Sequence, residues 1–106
     1  MTYEVVVSSQ AEQDIRGIYE YIAFALLAPK SAAGQIERLR AAINSLDTMP
    51  NRYRLFDDEP WRSRGLRIRA VDRYVVLYTT DEKRQMVNIV RVMYGGRNIE
   101  KWLNVN

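Results

Sequence analysis

Between residues 9 and 46 apolar positions recur at steps of three and four, and after Pro50 the step shortens to two or merges into continuous apolar runs. The first spacing lines up one face of a helix, and the second separates the two faces of a strand. The change of period predicts helices in the first half of the chain and strands in the second.

A strand precedes the helices. "YEVVVSS" is rich in β-branched residues and stops at a serine pair, which predicts a strand over residues 3–8. Ser9 and Glu12 stand at the spacing of a capping box and predict a helix start there. Its apolar face comprises Ile15, Ile18, Tyr19, Ile22 and Leu26, and Pro29 closes it or opens the next helix. Ala32, Ile36, Leu39, Ile43 and Leu46 then alternate steps of four and three, the pattern of a second amphipathic helix that "DTMPNR" ends. So short a connection folds the two helices into an antiparallel hairpin.

Residues 53–56 read as a short strand and "DDEPWRSRG" as a polar loop. "LRIRAV" alternates apolar residues with arginine, as a half-buried strand does, while "YVVLYTT" and "VNIVRVMY" are apolar on both faces, as central strands are. Residues 71–74 and "DEKRQ" supply the turns between them. A last helix over about residues 97–103 is expected to dock Trp102 and Leu103 on the core. The expected architecture is α+β: an N-terminal strand, a helical hairpin on one face of a mainly antiparallel sheet and a short C-terminal helix, all in one domain spanning residues 1–106.

Composition narrows the chemistry. With 47% apolar and 27% charged residues the chain has the means to fold. It has no cysteine and no histidine, which removes disulfides, thiolate and imidazole metal sites and imidazole catalysis. No nucleophile stands beside a base, so no catalytic residue is assigned, and neither a cofactor nor a metal is expected. The acids of "DDEP" are adjacent in one loop, which seldom makes a metal site without a second segment. Nothing resembles a secretory signal or the roughly 18 apolar residues of a membrane span, so the expectation is a cytoplasmic protein without a membrane partner.

Charge adds the candidate site. The net charge of +3 and pI near 9.4 favour an anionic partner. Arginine supplies 13 of the 16 basic residues, and its planar fork matches phosphate or carboxylate. Seven arginines fall between residues 52 and 73, against only Asp57, Asp58, Glu59 and Asp72. Alternation puts Arg67 and Arg69 on one strand face, with Arg73 at the next turn. After Tyr94, Gly95 and Gly96 turn the chain sharply and bring Arg97 to the sheet edge. Arg67, Arg69, Arg73, Tyr94 and Arg97 are therefore candidate target- or phosphate-binding residues on an open border of the sheet. The competing reading is that the helices cover one side and these arginines merely solvate the other.

"SSQAEQDIRGIYEYI", "LDTMPNRYR", "GLRIRAVDRYVVLY" and "VNIVRVMYGGRNIEKWL", in that order over nearly the whole chain, resemble the RelE/ParE superfamily of toxins from type II toxin–antitoxin systems. The resemblance implies a small toxin that arrests growth and is neutralised by a cognate antitoxin, which wraps it through an acidic or amphipathic segment. RelE-like members cut messenger RNA on the ribosome, as mRNA interferases, through basic and tyrosine residues of the sheet. ParE-like members poison the DNA gyrase–DNA complex and are not nucleases. Arg67 and Arg69 match the basic pair of the nuclease branch, and Arg97 matches the arginine after its last strand. Val75 departs from that branch, which carries an arginine there, and its C-terminal tyrosine is missing. The "VRVMYGGRNIEKWL" ending is closer to the ParE branch. Three readings stay open: a gyrase inhibitor, a ribosome-dependent endoribonuclease, and a non-toxic module that only binds antitoxin.

Overall fold

The computed structural model describes residues 2–96 and 98–103, without the side chains of Glu100 and Trp102. The elements run β1 (Glu4–Val7), α1 (Ser9–Glu20), a π-helical turn (Tyr21–Ala25), α2 (Pro29–Asn44), β2 (Arg67–Val71), β3 (Tyr74–Asp81), β4 (Met86–Tyr94) and α3 (Ile99–Leu103). Short 3-10 turns, Ser45–Asp47 and Pro50–Arg52, follow α2. The sheet order is β1-β4-β3-β2, with β1 parallel to β4 and the other pairs antiparallel. The parallel pair is reached by a crossover through both helices, which places them together on one face.

Helix α1 starts one residue earlier than the capping-box spacing predicts. Ser8 is the N-cap, its hydroxyl accepting from the Ala11 N–H at 3.0 Å. Glu12 cannot reach back to complete a box on Ser9, because Arg40 of α2 holds both its oxygens, at 2.6 and 2.9 Å. The expected apolar face also holds only in part. Ile15 and Ile22 are buried, but Tyr19 and Leu26 are exposed. The π turn places more residues in one turn than an α-helix does, so Leu26 leaves the inward stripe. Leu27, with φ of 54°, then reverses the chain, and Pro29 opens α2 at its first turn.

Ile15, Leu39, Ile43 and Leu46 of the helical layer meet Val76, Tyr78, Val87, Ile89 and Val92 of the sheet in the main core. The opposite face is not a solvated arginine face. It carries a second core of Phe56, Leu66, Ile68, Val75, Leu77, Met93 and Leu103. The stretch read as a strand over residues 53–56 forms one bridge, Leu55 to Arg67, and two flanking backbone bonds, Ile68 N–H to Arg54 C=O and Phe56 N–H to Leu66 C=O. It thereby covers the first part of the β2 edge. The expected docking of Leu103 is present, whereas that of Trp102 lies outside the described residues.

Candidate functional site

The register of β2 decides where its arginines point. Arg67 is opposite Tyr78 and Arg69 opposite Val76, and directly opposed residues share a face. Tyr78 and Val76 belong to the core beneath the helices, so both arginines face the helical layer rather than an open border. Arg69 Nη1 donates to Ala42 C=O at 2.7 Å and to Ser45 Oγ at 2.6 Å, where the last turn of α2 leaves carbonyls without helical partners. Its guanidinium lies 4.8 Å from the centre of the Tyr53 ring. Arg67 Nη1 donates to Tyr53 C=O at 2.7 Å. Arg52, which sequence reasoning did not single out, joins them, 4.8 Å from the same ring and donating to Met49 C=O at 3.0 Å. Beneath the group, burial pushes the Tyr78 hydroxyl up to about 12, and this hydroxyl donates to Pro50 C=O.

The remaining candidates sit at the other end of β2. Arg73 is in the turn after the strand, six residues and about 20 Å of extended chain from Arg67. Tyr94 packs edge-to-face on Tyr74, with centroids 6.0 Å apart at 75°. The glycines serve this arrangement: Gly95 N–H donates to Arg73 C=O at 2.8 Å, and a Cβ on Gly96 would lie 2.5 Å from Tyr94 Cε2. The structure brings Arg67 to Arg69 and Arg73 to Tyr94, but it keeps the two pairs apart. The expected place of Arg97 lies outside the described residues.

Arg73 and Tyr94 border a cleft of about 990 Å³ between the helical hairpin and this end of the sheet, with Ile18, Tyr21, Ile22 and Tyr74 as its apolar wall. At its floor Asp14 accepts from Arg91 Nε at 2.8 Å, from Arg91 Nη2 at 3.0 Å and from Val92 N–H at 3.0 Å. At its rim Asp72 accepts from Arg38 Nε at 2.8 Å and Gln35 Nε2 at 3.0 Å, and these bonds, Arg38's first, hold its carboxyl below the usual range. Asp14, Tyr21 and Arg91 are cleft residues that sequence reasoning missed. Nothing in a helical or strand period distinguishes them from ordinary surface positions. Among the described residues no group of three acidic side chains converges as a metal site would require, and no helix is long and apolar enough to cross a membrane.

A helical hairpin on a four-stranded mixed sheet is the architecture of RelE/ParE-like toxins, and solved structures bear that out. The chromosomal ParDE system of P. aeruginosa matches with a TM-score of 0.72 at 16% identity, covering 88% of this chain and 96% of that one. The toxin–antitoxin complex RelBE2 of Mycobacterium tuberculosis matches with a TM-score of 0.62 at 21% identity, over 89% and 99%. The archaeal RelE–RelB complex of Pyrococcus horikoshii matches with a TM-score of 0.60 at 17% identity, over 92% and 99%. At such identities these likenesses establish the fold alone. No curated protein matches the sequence significantly. The family model does: residues 5–99 match that of the ParE toxin of type II toxin–antitoxin systems, and the chain belongs to this family.

Proposed function

We propose that this chain is the growth-arresting toxin of a type II toxin–antitoxin pair, acting in the cytoplasm on DNA gyrase and held inactive by a cognate antitoxin. The observation that carries the choice of target is the position of Val75. It stands where RelE-like nucleases carry an arginine, and it packs with Phe56, Ile68 and Met93 on the sheet face opposite Arg67 and Arg69. Cleaving a phosphodiester requires donors aimed together at one developing charge. Val75 supplies no such donor.

The cleft supports the antitoxin as partner. Its wall of Ile18, Tyr21 and Ile22 would take the apolar side of an amphipathic segment, and exposed Arg73 would meet an acidic residue at the rim. The M. tuberculosis and P. horikoshii neighbours are themselves toxin–antitoxin complexes.

The test is induction of the chain alone in growing cells, with gyrase-linked DNA breaks and messenger RNA 5′ ends measured in the same culture. Gyrase-linked breaks should accumulate while transcript ends stay unchanged. New ribosome-dependent transcript ends with no gyrase-linked breaks would overturn the reading in favour of a nuclease.

A further inference from the structure

Seven large apolar side chains are strongly exposed among the described residues, and five of them, Tyr19, Tyr21, Phe24, Leu26 and Leu27, crowd the tip of the helical hairpin. Residues 21–29, which carry the chain from α1 to α2, include no charged residue. A single exposed apolar residue is ordinary on a protein surface, but a contiguous group of them marks an interaction site. Tyr21 and Leu26 line the cleft already described. Phe24 and Leu27, the most exposed of the five at 68% and 83%, do not.

Phe24 belongs to a second groove, of about 630 Å³ between α1 and α2, which shares only Gln13 with the cleft. Its apolar lining is Ile15, Tyr19, Phe24 and Ile36, and the rings of Tyr19 and Phe24 stand edge-to-face, 6.4 Å apart at 85°. Leu27 lies outside this groove, where the chain reverses with φ of 54°, and projects into solvent. One chain thus carries an apolar projection and an apolar hollow side by side. The charges bordering them are likewise of two kinds. Glu20 lines the hollow and Lys30 follows the projection by three residues; both are exposed, and neither enters an ion pair among the described residues. Of the other charges on the groove, Glu12 and Arg40 hold each other, and Arg16 lies one turn further from the tip than Glu20.

We propose that the hairpin tip docks on a second copy of this chain: Leu27 of each protomer enters the groove of the other at Tyr19 and Phe24, and its Lys30 meets the other's Glu20. A two-fold contact needs a surface complementary to itself, and a projection beside a hollow, bordered by a base and an acid, meets that need in shape and in charge. An unrelated partner would need the projection or the hollow, but not both on one chain. A lipid surface would set its anionic headgroups against Glu20. Tyr19, Phe24 and Leu27 present on the order of 350 Å² of apolar surface, taking about 150–250 Å² for a whole aromatic side chain and slightly less for leucine. Ala25 and Ile36 beside them bring this toward the roughly 450 Å² of apolar area on one side of a standard interface. The contact is independent of the choice of target and of the antitoxin in the cleft.

The test is analytical ultracentrifugation of the purified chain across a wide range of concentration, with the variants L27D, E20K and K30E and, as a control at the cleft, R73Q. Aspartate suits position 27 because it tolerates a left-handed backbone. The wild type should pass from monomer to dimer as concentration rises, and R73Q should match it. L27D should raise the dissociation constant about tenfold or more. E20K and K30E should each weaken the dimer several-fold, since like charges then face each other at both ends of the contact. An equal mixture of E20K and K30E should dimerise as the wild type does, because one variant presents two bases and the other two acids. A merely structural role for either side chain would not produce that rescue. A monomer at every concentration, a dimer unchanged in L27D, or a mixture no tighter than its components would overturn the proposal. So would a monomer that sediments with phosphatidylcholine–phosphatidylglycerol vesicles, or is captured by a co-expressed antitoxin, only while Leu27 is intact; these outcomes would assign the tip to lipid or to antitoxin. Should L27D not fold, as circular dichroism would reveal, the mixture decides.

Discussion

The Ser8 hydroxyl makes two bonds at once, accepting from the Ala11 N–H at 3.0 Å and donating to Val90 C=O at 3.1 Å, so one side chain caps α1 and ties it to β4. Ser8→Ala should therefore cost about 1–2 kcal/mol in urea denaturation, while Ser9→Ala, inside the helix, should stay within about 0.5 kcal/mol. Equal losses would mean that the cap had been misplaced. The sequence signature favours Ser9, which has Glu12 three residues on, over Ser8, which has Ala11 there. What overrides it is Arg40, 28 residues away, which holds the glutamate that a box on Ser9 would need. Arg69 is a similar case: its place on one strand face was legible, but the carbonyl of Ala42 and the hydroxyl of Ser45 that hold it come from a distant helix end.

Whole elements were legible where their period is strong. The helix over Pro29–Asn44 and the strands β3 and β4 follow their apolar patterns closely. The end of α1 does not, because the π turn at Tyr21–Ala25 changes the period after the face has been set. The joint between α1 and β4 rests on Asp14 and Arg91, whose side chains are only 10% and 15% exposed. Removing one partner of so enclosed a pair leaves the other charge poorly solvated. Asp14→Ala is expected to destabilise the chain by about 3 kcal/mol, read as a lower midpoint in urea with an unchanged slope. A loss under about 1 kcal/mol would class the pair with ordinary surface bridges.

At the scale of the molecule, three lowered carboxyls join separate parts of the fold: Glu12 through Arg40, Asp72 through Arg38 and then Gln35, and Glu82 through Tyr3 and then Asn51. A carboxyl lowered in the folded state contributes stability that is present above its unfolded value, near 4, and is lost as the pH falls through the lowered one. The raised Tyr78, at about 12, works in the opposite sense, its contribution being complete below about 10 and lost as the pH climbs toward the folded value. With no histidine in the chain, melting temperature should be level between about pH 5 and 8, fall in acid below about pH 4 and fall again in strong alkali. Glu12→Gln should flatten part of the acid fall in thermal melts followed by circular dichroism.

The order of elements, the helical hairpin and the excess of arginine between residues 52 and 73 follow from the sequence alone, because periodicity and charge are local properties of a chain. The alternation of "LRIRAV" likewise places Arg67 and Arg69 together. It cannot say which way they face, since turning the strand over leaves the alternation unchanged. That choice belongs to the tertiary structure: pairing with Tyr78 and Val76 aims both side chains at the helical layer and sends Val75 to the opposite face, and only then do the carbonyl end of α2 and the Tyr53 ring gather the guanidiniums.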